Sequence, residues 1–77
     1  MVSGYVFVKL LPGAEVGKIS HALKEPGIRS VDMIIGPWDA VVVCDAEDLD
    51  SLGRISQLVR GCPGIADSLS CPVVHLS

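Results

Sequence analysis

The sequence predicts an α+β sandwich (α/β class) built as βαββαβ, with a four-stranded antiparallel sheet and two helices on one face. Three observations carry this. Apolar spacing switches between strand-like and helix-like in six successive segments. Paired proline and glycine punctuate them at 12–13, 26–27, 36–37 and 63–64. The segment "EPGIRSV" at 25–31 is echoed by "CPGIADSL" at 62–69, so Pro-Gly-Ile recurs after 37 residues, close to half the chain. Each half is then one βαβ unit, and the Gly36-Pro37-Trp38-Asp39 turn joins the two.

"YVFVKLL" at 5–11 is β-branched and aromatic, which predicts a strand closed by Pro12-Gly13. From Ala14 to Lys24, Val16, Ile19 and Leu23 recur at helical spacing, and Pro26-Gly27 ends that helix. "IRSVDMIIG" alternates, with Val31, Met33 and Ile35 on one side and Ser30 and Asp32 on the other. "AVVVCD" past the turn is continuously apolar, as in a strand buried on both faces. Asp45 is the expected cap of the second helix, with Asp48 in its first turn, where negative charge suits the helix dipole. Leu49, Leu52, Ile55 and Val59 form its apolar stripe as far as Arg60, and Gly61 and Pro63-Gly64 stop it. "IADSLSCPVVHL" completes the sheet, with Pro72 placing its later part at an edge or bulge. The order is that of a split βαβ, or ferredoxin-like, sandwich.

At 77 residues the chain is expected to be one domain, 1–77, with a mostly aliphatic core, since it has one Trp, one Tyr and one Phe. A net charge of -3 and a pI near 5.0 oppose direct DNA binding, which calls for a basic face. Three cysteines with no CxxC and no secretory signal read as reduced thiols in a cytoplasmic protein. The apolar run in "MVSGYVFVKLLPG" is too short to span a membrane.

Two helices cover one face of such a sheet, yet both faces read as apolar. Val6 and Val8 lie on one side of the first strand and Tyr5 and Phe7 on the other, and Val41-Val42-Val43 repeats the pattern. A monomer would expose the second face as a large apolar patch. Packing it against the same face of another copy removes that cost, so a two-fold dimer through the sheet is expected, with cover by loops or the C-terminal tail as the alternative.

Catalytic groups are sparse. Cys44 falls inside a buried strand, where a thiol behaves as a small hydrophobe, and Cys62 follows a helix end that disfavours the thiolate. Cys71 and His75 are four apart on the last strand, and His21 lies off the apolar stripe of the first helix. Asp45, Glu47, Asp48 and Asp50 crowd a helix N-terminus, which capping and dipole effects explain. No phosphate-binding loop is present. Neither an enzyme, a metal site nor a cofactor is expected.

The Gly36-Pro37-Trp38-Asp39 turn carries the only tryptophan, followed at once by an acid. The indole either folds back on the sheet or covers a partner surface. Asp39 has no helix to cap, so its carboxylate is expected to be free. An apolar plate beside a free acceptor suits a small molecule with an ammonium group, and a plain hairpin turn is the alternative.

The whole pattern resembles the effector-binding (RAM) domain of Lrp/AsnC transcription regulators. The resemblance rests on "GYVFVKLLPGAE", "EPGIRSVDMIIGPWDAVVVCDAEDLDSLGRIS" and "CPGIADSLS", which span nearly the whole chain. It implies a ferredoxin-like fold that dimerises through its sheets and gathers into larger rings, often octamers, with an amino-acid effector held between dimers. It also implies that Gly36, Trp38 and Asp39 line that site, joined by the hydroxyls of Ser68 and Ser70. The ligand's ammonium would sit near Asp39 and backbone carbonyls, its carboxylate near backbone N–H groups or those hydroxyls. Two departures stand out. Full-length members begin with a helix-turn-helix domain that is not among these residues, so the chain is similar to stand-alone members. Ser68 and Ser70 stand where threonines are usual, and Pro37 stiffens the hairpin.

The expected function is therefore an oligomeric amino-acid-binding module that modulates a full-length family regulator by co-assembly. The alternatives are a ligand-free oligomerisation module and an enzyme of the dimeric α+β barrel type, for which His21 is the only helix-borne candidate.

Overall fold

The computed structural model describes residues 1–74; His75 and the expected end of the last strand lie outside the described residues. The six elements occur in the expected order: β1 Val2–Leu10, α1 Val16–Ala22, β2 Ile28–Met33, β3 Ala40–Ala46, α2 Leu49–Arg60 and β4 Ile65–Pro72. The strands form one sheet in the order β2-β3-β1-β4, with antiparallel neighbours throughout. This ferredoxin-like arrangement puts the two central strands, β1 and β3, side by side and leaves β2 and β4 as edges.

Period-two alternation decides which side chains enter the core. Val6, Val8, Ala40, Val42, Cys44 and Ala46 are buried on the helix side of β1 and β3. Ile19 and Leu23 close over them from α1, and Leu52, Ile55 and Val59 from α2. Among the described residues nothing covers the other side of the sheet. Tyr5 is 43% exposed and Leu69 47%, while Phe7, Val41 and Val43 are half-buried. The expectation that β3 is buried on both faces therefore fails within one chain: its residues alternate strictly between buried and half-buried. In β2, Val31 packs against the core, but Met33 is 58% exposed and Ile35 fully so, because β2 is an edge that ends at Met33.

The cap of α2 also differs from the sequence reading. Asp48, not Asp45, is the N-cap, and one carboxylate oxygen accepts the Ser51 N–H at 2.8 Å. That bond holds the Asp48 carboxyl below the usual carboxylate range. Asp45 stays in β3, where it accepts the Ser3 hydroxyl at 2.6 Å and pairs with Arg29 at 3.1 Å.

The Pro-Gly-Ile echo has a common physical cause. Gly27 and Gly64 both adopt φ +96°, a left-handed conformation that turns each helix exit into the following strand. At Gly27 an added Cβ would also lie 2.7 Å from Ile55 Cδ1 and 3.0 Å from the Asp45 carbonyl. Backbone strain and overpacking then act together. Gly27→Ala should cost at least ~2 kcal/mol and lower Tm by roughly 10 °C. Urea and thermal unfolding measure this, and a cost below ~0.5 kcal/mol would mean that the turn relaxes freely.

Candidate functional site

The hairpin between β2 and β3 spans residues 34–39 and is pinned at its base. The Ile34 N–H donates to the Asp39 carbonyl at 3.1 Å, and the Asp39 N–H to the Val8 carbonyl at 2.9 Å. β3 begins at Ala40, opposite Val8, so the Leu10 N–H has run past its partner strand. Asp39 Oδ2 fills the missing place and accepts that N–H at 2.8 Å. Its carboxylate is thus not free, contrary to the sequence expectation. One oxygen anchors the hairpin to the end of β1, where the β1–β4 register shifts and Ala66 of β4 is the extra, bulged residue, while Oδ1 has no hydrogen-bond partner among the described residues.

Trp38 folds back on the open sheet face. Its ring lies 6.5 Å from that of Phe7, tilted by 43°, and Lys9 Nζ sits 5.9 Å from its centroid. The indole, half-buried, extends the apolar face and carries a cation over its plane. The tip beyond it projects outward, with Ile35, Gly36 and Pro37 all exposed. Gly36 does not have a positive φ, and an added Cβ would meet nothing within 4 Å. Neither backbone strain nor internal packing explains why glycine stands there.

Ser68 and Ser70 lie elsewhere. Ser68 is opposite Val8 and Ser70 opposite Val6, so both belong to the helix-facing side of β4. Ser68 is two strands from β3, roughly 10 Å at ordinary strand spacing. Ser70 Oγ donates to or accepts from Ser56 Oγ of α2 at 2.8 Å. Both serines of that pair line a cleft of about 270 Å³ with Gly4, Leu49, Leu52 and Gly53. One chain therefore brings Gly36, Trp38 and Asp39 together and keeps Ser70 apart from them, across the sheet. The sequence reading missed the Ser56–Ser70 cleft, although the apolar stripe of α2 and the alternation of β4 were both signals for it.

Groups that could act as nucleophiles or bases are poorly placed for it. Burial, and secondarily the neighbouring Asp45 charge, pushes the Cys44 thiol up to about 11. Burial also raises Cys62. His21 is exposed on α1, and no group of three or more His, Cys, Asp or Glu side chains suited to a metal occurs among the described residues. No helix among them is long and apolar enough to cross a membrane.

No protein-family model matches the chain, and no curated protein is similar to it in sequence. Its fold, however, recurs in solved structures. TTHA0845 from Thermus thermophilus superposes with a TM-score of 0.86 at 18% identity, over 100% of this chain and 98% of that one. FFRP-DM1 gives 0.82 at 20% identity, over 96% of this chain and 100% of that one. The transcriptional regulator NMB0573 from Neisseria meningitidis, solved as a complex with L-Met, gives 0.79 at 15% identity. There the match covers 96% of this chain and 50% of the regulator's.

The Asp39 anchor makes a defined prediction. Asp39→Ala leaves the Leu10 N–H without its acceptor and should cost about 1–3 kcal/mol, whereas Asp39→Asn keeps an oxygen there and should lose less than half of that. Chemical denaturation of the two variants separates the outcomes. Equal losses would show that the carboxylate does not act through this bond.

Proposed function

We propose that this chain is an amino-acid effector-binding module of the Lrp/AsnC (RAM) type, working by binding and assembly rather than by catalysis. The observation that carries the reading is Gly36. A glycine without internal justification, at an exposed tip between Ile35 and the Trp38 plate, is suited to close approach of something from outside the chain. The shared fold with a regulator captured with L-Met supports an amino acid as that ligand.

In this reading the ligand's ammonium meets Asp39 Oδ1 and hairpin carbonyls, while Trp38 and Ile35 flank its apolar part. Ser68 and Ser70 contribute only if another copy brings its β4 edge to the hairpin, because within one chain Ser70 faces α2. The site is thus one between copies, and pairs formed through the open sheet face gather into a ring such as an octamer. Regulation of transcription would pass through co-assembly with a full-length family regulator, since a chain of net charge -3 is a poor ligand for DNA. The second reading is a ligand-free assembly module. It is favoured by one observation, that the Asp39 carboxylate is already engaged by Leu10 N–H.

Titration with each of the twenty amino acids, read by Tm and by oligomer size, tests the binding claim. At least one should raise Tm, by an amount that grows with its concentration. Gly36→Ala should leave the unliganded protein within ~0.5 kcal/mol of the original, or slightly more stable, and abolish that rise. If no amino acid shifts Tm or oligomer size, the second reading replaces the first.

A further inference from the structure

A free α-amino acid carries two charges, and the hairpin itself answers only one of them. Asp39 Oδ1 is open to the ammonium. For the carboxylate, Ser68 and Ser70 are out of reach within one chain, on the helix side of β4. The N–H groups of Ile34 and Asp39 are engaged, and Pro37 has none. Those of Ile35, Gly36 and Trp38 remain, but they are neutral donors.

A cation must come from one of six bases. Lys18 and Arg29 are paired with Glu15 and Asp45, at 3.4 and 3.1 Å. Arg54 and Arg60 belong to α2 and Lys24 follows α1, on the covered side of the sheet. Lys9 stands beside the hairpin. It is exposed, shares the open side of β1 with Phe7, and has its Nζ 5.9 Å from the Trp38 centroid. The next residue, Leu10, donates the N–H that holds Asp39 Oδ2 at 2.8 Å. Lys9 and Asp39 thus adjoin the same indole from two strands that this bond ties together.

Lys9 is also uncommitted. No carboxylate among the described residues lies within ion-pairing distance of its Nζ. Asp67, opposite Lys9 in β4, turns Oδ1 to the Ser68 N–H at 2.8 Å instead. A cation resting on an exposed ring is held less strongly than one hydrogen-bonded to a carboxylate. An arriving carboxylate can therefore draw Nζ off the indole without breaking an ion pair, and the flexible four-carbon stem permits the swing.

We propose that Lys9 is the carboxylate-recognising residue of the effector site, so that the site takes an intact α-amino acid and rejects the matching amide. The inference rests on the reading of the hairpin as an effector site and adds the residue that sets its ligand class. Asp39 Oδ1 and Lys9 Nζ hold the two charged groups of the ligand, and its side chain is left to Trp38 and Ile35.

Calorimetric titration with L-methionine and with L-methioninamide tests this, at about pH 6, where the α-amino group of each is charged. If another of the twenty amino acids binds more tightly, it and its amide are the pair. The original protein should prefer the acid at least roughly tenfold. Lys9→Gln should bring that ratio near one by weakening the acid alone, whereas Lys9→Arg should keep the preference. A lysine that merely supported Trp38 would affect both ligands alike. Lys9→Met keeps the aliphatic stem over the indole and takes the place of Lys9→Gln if that variant does not fold. Equal binding of acid and amide by the original protein, or a preference that survives loss of the Lys9 charge, overturns the inference and leaves the effector-site reading standing. If no amino acid binds at all, both fall.

Discussion

Two helices, of 7 and 12 residues, can cover only one face of a four-stranded sheet, and here the other face is made largely of apolar side chains. That constraint organises the rest of the molecule. The covered face is dry and aliphatic, with Val6, Val8, Val42 and Cys44 at its centre and almost no exposure. The uncovered face carries Tyr5, Phe7, Val41, Val43 and Leu69 across its middle, and charge only toward its ends and edges. A domain this small has little burial to spare, so leaving such a face in water is a large unrealised stabilisation. The proposed pairing of copies is the direct physical response to it.

The hairpin depends on the same sheet through one bond. Asp39 Oδ2 replaces a ladder acceptor for Leu10 N–H, and so ties the turn to the end of β1. With its base fixed, the hairpin lays Trp38 on Phe7 beneath Lys9 and presents Ile35 and Gly36 outward. The aromatic plate belongs to the open face and the exposed tip lies beside it. In the proposed function, assembly and ligand binding are therefore coupled by geometry: whatever covers the face also sets the surroundings of Trp38.

Features governed by local periodicity were legible in the sequence. The element order, the Pro-Gly-Ile echo with its two left-handed glycines, and the alternation that separates Val6 from Tyr5 all follow from neighbours in the chain. What escaped was governed by distant partners. Asp45 does not cap α2, because it is held by Arg29 and by Ser3, 42 residues away. Asp39 is not free, because a backbone N–H 29 residues away claims one oxygen. Met33 and Ile35 continue an alternating pattern that the edge position of β2 leaves uncovered. Ser70 sits on the face its period assigns, but its partner Ser56 could be found only once α2 was docked on the sheet.

Trp38 is the only tryptophan and lies on the face in question, so its emission reports directly on whether that face is covered. The decisive measurement is Trp38 fluorescence across a wide dilution series, with sedimentation velocity at the same concentrations. The account predicts a blue-shifted emission in a dimer or larger assembly at high concentration, moving to the red as the species dissociates on dilution. A protein that sediments as a monomer at every concentration, with an emission maximum that never moves, would contradict it.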